Sequence, residues 1–254
     1  MKKSDFYYDL PPELIAQTPL SRRDASRLMV LNRRTGEIAH KTFADITDYL
    51  KPGDCLVIND TKVLPARLMG NRITGGKAEL LLLNPRGEDI WEVLARPGRR
   101  ITVGTELTFG DGQLTAQVLE VLENGNRVVK LRYNSPDFYQ LLNQIGSIPL
   151  PHYIHEKLDN PDRYQTIYSK ELGSVAAPTA GLHFTPELLD KIKGMGVEVA
   201  NLTLHVGVGT FRPVKTENIT DHVMHSEHYE LPQATVDKIL KAKSSEGRSP
   251  SKRP

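Results

Sequence analysis

The chain has 254 residues, 39% of them hydrophobic, a mean hydropathy of −0.39 and a formal net charge of +2. This composition fits a folded, soluble polypeptide with room for one large domain or two ordinary ones, and excludes a disordered chain. A single cysteine, Cys55, excludes a disulfide framework.

The opening "MKKSDFYYDLPPEL" has two lysines but no apolar core, so no signal peptide is expected. The longest aliphatic run, Leu80 to Leu83, is far too short to cross a bilayer. "LSRRDASRLMVLNRRTGE" sets Arg22, Arg23, Arg27, Arg33 and Arg34 against Asp24 and Glu37. Such a run reads first as a solvated surface, with a phosphate track as the alternative. "RLMVLNR" and "EIAHKTF" form a β-hairpin joined by Arg34-Thr35-Gly36, and "DITDYLKPGD" a short helix stopped by Pro52-Gly53. "DCLVIND" is a compact apolar strand that places Cys55 as a buried, reduced thiol in a cytoplasmic protein.

From about residue 65 to 135 the texture changes to short β-rich runs punctuated by "TGG", "NPRGED", "RPGRR", "GDG" and "ENGN", which predicts a small antiparallel barrel or sandwich. Its clearest hairpin turns at Asn124-Gly125. "SPDFYQLLNQIG" restores a helix, capped by Ser135 and closed by Gly146. Then come a strand at "SVAAP", a helix at "TPELLDKIKGMG" with Thr185 as cap, and a strand at "VEVANLTLHV". That order is a βαβ unit, whose two strands are expected parallel and adjacent. "HSEHYEL" reads as one more strand, and "QATVDKILKAK" as a helix with apolar Val236, Ile239 and Leu240. The predicted fold class is mixed α/β: an α/β domain of residues 1–62 and 150–243, an inserted antiparallel β-barrel domain of residues 63–149, and a disordered tail over 244–254.

In open parallel sheets, ligands sit outside the carboxyl ends of strands. Two such loops, "TAGLHF" and "GVGTFRP", are expected on one edge, bringing His183 and His205 towards one crevice. Gly181, Gly207 and Gly209 would let a ligand approach the backbone, and the helix start at Thr185 offers free N–H groups to an anion. Neither loop is a dinucleotide fingerprint or a P-loop: Arg212 stands where a third glycine would be, and no Gly-Lys-Ser/Thr follows. In "VINDTKVLPARL", Asn59 and Asp60 end a strand with Lys62 and Arg67 close behind, either a plain Asn-Asp turn or a ribose-binding acid. "DHVMHSEHYEL" carries His222, His225 and His228, but strand alternation turns His225 away from the other two, which argues against a metal and leaves His225 with Glu227 as an acid/base pair. Tyr164 and Tyr168 are read as core packing.

Together "YDLPPELIAQTPLSRRDASRLMVLNRRTGEIAHKTFADI", "GDCLVINDTKVLPARL", "RYQTIYS", "VAAPTAGLHFTPELL", "LTLHVGVGTFRPV" and "MHSEHYEL" resemble the S-adenosylmethionine:tRNA ribosyltransferase-isomerase family of queuosine biosynthesis, in order from about residue 3 to 243. The resemblance implies an α/β domain with a β-barrel domain. It also implies transfer of the ribosyl moiety of S-adenosylmethionine to 7-aminomethyl-7-deazaguanine at the tRNA wobble position, giving epoxyqueuosine with release of adenine and methionine. S-adenosylmethionine is then a consumed substrate, with no metal and no true cofactor. The expected partners are tRNA, through its anticodon arm, and S-adenosylmethionine; no membrane is expected, and the chain is taken as a monomer. Candidate catalytic residues are His183, His205 and His225 as acids or bases, with Asp60 orienting the ribose. The Thr185 helix end, or Lys62 and Arg67, would take the methionine carboxylate, and Asn59, Thr179, Gly181, Gly207, Gly209, Thr210 and Glu227 complete the expected substrate contacts. After about Lys243 the family pattern stops, without "GTTSxRTLE"-like or "NFHLP"-like motifs, so an early chain end that leaves the sheet incomplete is expected. Two further readings stand beside this one: a non-catalytic tRNA- or nucleoside-binding fragment, and a metal-dependent hydrolase using the histidines of 222–228.

Overall fold

A computed structural model describes residues 1–211 and 213–244 of the chain. The N-terminal hairpin pairs β1 (Arg27–Leu31) with β2 (Ile38–Thr42) antiparallel, around a turn in which Gly36 takes a positive φ. Thr42 and Asp45 then form a reciprocal capping box that starts a 3-10 turn over Phe43–Tyr49. That turn buries Phe43 against Phe184, edge to face at 5.0 Å.

The apolar run β3 (Cys55–Asn59) continues through Asp60 into β4 (Thr61–Val63). Partial burial raises the Cys55 thiol pKa, so it stays protonated at neutral pH.

The inserted domain is a closed antiparallel barrel. Its strands are β5 (Arg67–Arg72), β6 (Lys77–Gly87), β7 (Ile90–Arg96), β8 (Glu106–Phe109), β9 (Leu114–Val121) and β10 (Arg127–Tyr133). The ring runs β5–β6–β7–β10–β9–β8 and closes by pairing β8 back onto β5. The seam falls at Gly70, where a Cβ would collide with the Thr108 carbonyl and the Phe109 ring; glycine permits this close approach. Alternate residues point inward, so Leu68, Leu80, Leu82, Val93, Leu107, Phe109, Leu114 and Leu131 are essentially inaccessible. Helix α1 (Phe138–Ile145) plugs the barrel with Leu141 and Leu142, and β11 (Gly146–Ser147) adds to β5. The α1 cap is Asp137, which accepts from the N–H groups of Tyr139 and Gln140; the expected cap, Ser135, instead braces Asp137.

The chain returns through β12 (Glu171–Ser174), α2 (Pro186–Gly194), β13 (Glu198–Leu204), β14 (Tyr229–Glu230) and α3 (Gln233–Ser244). Here the expected topology is corrected. The first strand lies earlier than "SVAAP", and β12 and β13 do not pair with each other. β13 runs parallel to β3, from Glu198 opposite Cys55 to Leu202 opposite Asn59, while β12 runs parallel to β4. The apolar segment 55–63 takes the central place and changes partner at Asp60, whose N–H bonds to Leu202 and whose carbonyl accepts from Lys170 and Glu171. The expected strand "HSEHYEL" shrinks to Tyr229–Glu230, which pair antiparallel with Leu204 and Thr203; residues 222–228 are irregular, and Pro232 leads straight into α3. α2 buries Leu188, Leu189 and Ile192 beneath this sheet, and α3 is tied to β13 by Thr235 Oγ1 donating to the Asn201 carbonyl at 2.5 Å. Ser244 is the last residue of α3; the rest of the expected tail lies outside the described residues. No helix among the described residues is long and apolar enough to cross a membrane.

Candidate functional site

Though unpaired, β12 and β13 are stitched together where they end. The buried Ser174 Oγ accepts the Val206 N–H at 2.8 Å and donates to the Ala176 carbonyl at 2.8 Å, while the Val175 N–H reaches the Val206 carbonyl at 2.9 Å. Both following loops therefore leave from one edge.

His205 stands at that edge. Its N–H donates to the His228 carbonyl at 2.9 Å, its Nδ1 lies 2.8 Å from Thr61 Oγ1, and its ring stacks on His228 with centroids 5.8 Å apart. The ring lies across Gly173, where an added Cβ would come within 2.6 Å of Nε2. Burial, reinforced by His228, lowers the imidazole pKa, against the opposing pull of Glu230, Glu171 and Asp60. His205 is consequently a neutral imidazole at neutral pH, the form that takes up a proton.

A second imidazole is built beside it. Glu227 Oε1 accepts the Gly207 N–H at 2.8 Å and pairs with His225 Nε2 at 3.0 Å. The His225 ring fills the space where a Cβ on Gly209 would sit. Across from the two imidazoles lies the barrel, and between them opens a cleft of about 1020 Å³. Gly173, His205, Gly207, Gly209, His225 and Glu227 line one side, and Asn84, Trp91, Glu92 and Tyr139 the other. Ligand pockets commonly measure about 300–1,000 Å³, so this cleft has room for a nucleoside-sized molecule and a second reactant.

Of the residues expected from the sequence, His205, His225, Gly207, Gly209 and Glu227 meet in this cleft. His183, Thr179, Gly181 and Thr185 do not. Residues Thr179–His183 form a 3-10 turn that folds back towards α2. The His183 ring packs 5.1 Å from Phe43, and Arg23 anchors the turn by donating to the Leu182 carbonyl at 2.9 Å. Burial lowers the His183 pKa; a hydrogen bond at the Arg23 backbone opposes this and the Arg23 charge adds to it. The absent side chain of Gly181 makes room for the Tyr168 hydroxyl and Thr166.

Thr185 Oγ1 accepts the Leu188 N–H at 3.2 Å and so caps α2 itself. Thr185→Ala is expected to cost about 1 kcal/mol of stability, read as a lower urea-unfolding midpoint, with turnover unchanged. Lost turnover at unchanged stability would instead put Thr185 in contact with substrate.

Asn59, Asp60, Lys62, Arg67 and Thr210 also lie off the cleft lining. The Asn59 amide extends the β3–β13 ladder, donating to the Leu204 carbonyl and accepting its N–H. Asp60, buried, accepts from Thr203 Oγ1 at 2.7 Å. Arg67 pairs with Glu79 at 2.9 Å on the barrel, and Lys62 and Thr210 are exposed. Among the described residues no three His, Cys, Asp or Glu side chains group as a metal site. Sequence reasoning missed Thr61, Gly173 and the whole barrel wall. The one available signal was a glycine inside the strand "ELGSV", which marks a close approach.

Comparison with known proteins first defines the class. The profile described as queuosine biosynthesis protein matches residues 3–250. The chain is 55% identical, over 98% of its length, to the S-adenosylmethionine:tRNA ribosyltransferase-isomerase of Acetivibrio thermocellus, and spans 73% of that protein. It is 58% identical over 96% of its length to the protein of the same name from Clostridium kluyveri, spanning 72% of it. A solved S-adenosylmethionine tRNA ribosyltransferase from Thermotoga maritima is 37% identical, aligned over 94% of this chain and 65% of that one, with a TM-score of 0.40. The chain belongs to the S-adenosylmethionine:tRNA ribosyltransferase-isomerase family.

Proposed function

We propose that this chain moves the ribosyl moiety of S-adenosylmethionine onto 7-aminomethyl-7-deazaguanine at the wobble position of the tRNA anticodon arm, giving epoxyqueuosine and releasing adenine and methionine. The observation that carries the reading is the convergence of a neutral, partly buried His205 and a Glu227-held His225 on one large cleft. The chemistry needs a base beside the sulfonium, where the positive sulfur acidifies a C–H bond, and a proton donor for departing adenine. His205 suits the first task, because its depressed pKa keeps it unprotonated. His225, held by a carboxylate, suits the second. The backbone at Gly207 is open, with only Glu227 near, so a ligand can approach it closely.

S-adenosylmethionine enters as ribosyl donor, and no further cofactor is invoked. The chain is taken to act as a monomer, and the protonated lone thiol suits the cytoplasm, where tRNA is modified. The test is incubation with S-adenosylmethionine and tRNA carrying the aminomethyl base. Free adenine together with a mass gain on the tRNA is expected; unchanged tRNA and no adenine would overturn the reading.

A further inference from the structure

The imidazoles form only one side of the cleft; the barrel side is built just as deliberately. Glu92, 7% exposed, accepts from Asn126 Nδ2 at 2.5 Å, from Arg86 Nη2 at 2.6 Å and from Arg86 Nε at 3.1 Å, and the Asn124 side chain also bonds to it. A carboxylate has about four acceptor positions, so Glu92 is fully used in binding β6, β7 and the β9–β10 turn into one rigid surface. Burial alone would raise its pKa, but the bonds from Asn126 and Arg86 and the Arg86 charge outweigh that and keep it ionised. Glu92 is thus the brace of this wall rather than a ligand contact.

Two side chains stand on the braced wall and face the cleft with uncommitted groups. Asn84 is exposed, and its amide makes no hydrogen bond among the described residues. Tyr139 is 45% exposed, and its hydroxyl is likewise unengaged there. The Tyr139 ring is braced edge-on by an aromatic cluster: Phe138 lies 5.6 Å from it at 60°, and Trp91 5.7 Å from Phe138 at 44°. A braced aromatic and a free amide lining the same cleft are what recognition of a splayed-out base requires. The ring takes the base face, and the amide, with two donors and an acceptor, takes a purine edge that carries both. On the imidazole side the stacked rings are His205 and His228, and His205 is already engaged by Thr61 and assigned to proton transfer.

We propose that the acceptor base is held on the barrel wall, stacked on Tyr139 and read by the Asn84 amide, while the ribosyl donor occupies the imidazole wall. The proposal rests on the reaction assigned above. Its test is equilibrium binding of two anticodon stem–loops, one carrying 7-aminomethyl-7-deazaguanine and one carrying uracil at the wobble position. The native chain is expected to prefer the first. Tyr139→Ala should weaken binding of the deazaguanine stem–loop about tenfold, the scale of one lost base–aromatic stack, and Asn84→Ala should reduce the preference about tenfold, the scale of one lost base-edge pair, whereas Tyr139→Phe binds as the native chain does. S-adenosylmethionine affinity, measured by calorimetry, should stay unchanged in all three. A Tyr139→Ala chain that binds the deazaguanine stem–loop as tightly as the native chain, an Asn84→Ala chain that discriminates as well, or either variant losing donor affinity to the same extent, overturns the proposal. A native chain that neither discriminates nor releases adenine overturns the assigned reaction itself, a result distinct from failure of the variants alone.

Discussion

His205→Ala lowers adenine release by about 10²- to 10⁴-fold, the usual worth of a positioned general base, while the fold survives. The fold survives because His205 is only partly buried and its backbone N–H keeps its bond to the His228 carbonyl. The pH dependence follows from the same environment. Burial and the neighbouring His228 push the His205 pKa below the ordinary histidine value of about 6.5, so the neutral base persists as pH falls past that point. The acid limb of kcat/KM is therefore expected below pH ~6.5, and it should vanish from the residual activity of the variant. Stability has a matching sign. With the folded pKa depressed, the unfolded chain binds more protons in the window just below pH ~6.5, so stability present above that pH is lost as pH falls. His183, also depressed by burial, adds to this loss but lies outside the cleft, so its substitution should flatten the stability profile without moving the acid limb. An unchanged acid limb in His205→Ala would remove His205 from proton transfer.

Much of this arrangement is legible in the sequence, for a physical reason in each case. The barrel announces itself because closely spaced β-rich runs with glycine turns have few other ways to bury one face, and the α2 cap because Thr185-Pro186 satisfies helix-start chemistry locally. The His225–Glu227 bond was readable from their spacing, although no strand underlies it: residues 222–228 are irregular, and the pair meets because Glu227 also holds the Gly207 N–H. What stayed hidden depends on contacts distant in the chain. Nothing local in "VINDTKV" says that the segment changes partner at Asp60, so the sequence leaves Asn59 and Asp60 open between a turn and a ribose-binding acid, while the structure shows Asn59 bonded into the β3–β13 ladder and Asp60 buried against Thr203. Nothing in "TAGLHF" shows Arg23 reaching across to anchor that loop away from the cleft. The barrel wall was invisible for the same reason, since Asn84 and Tyr139 become neighbours of His205 only once the cleft is formed.

Gly173→Ala is expected to reduce turnover by about 10²-fold, the cost of misplacing a catalytic group by around an ångström, and to lower stability as well, because the backbone there holds a φ of +157° that an L side chain rarely adopts. The new methyl group would come within 2.6 Å of His205 Nε2, and the obstacle is the far end of a side chain that can swing aside. Rotation relieves the clash, though not the backbone strain, and breaks the 2.8 Å link to Thr61 Oγ1 that sets the ring's direction; Gly209, with no such backbone constraint, isolates the seating effect. Gly209→Ala should act likewise on His225, whose ring occupies the corresponding space. Gly207→Ala is the control in the same loop: its nearest neighbour, Glu227 Oε1, is 3.6 Å from the added carbon, and the N–H bond to Glu227 is retained. It should remain within about twofold of the native rate, the range of a substitution that disturbs no special feature. Steady-state kinetics of the three variants, with thermal unfolding measured alongside, separates two uses of glycine in these loops. A deficit confined to 173 and 209 means that glycine is there to seat the imidazoles. A deficit at 207 with normal turnover at 173 means that the open backbone serves the bound ligand directly, and the seating argument fails.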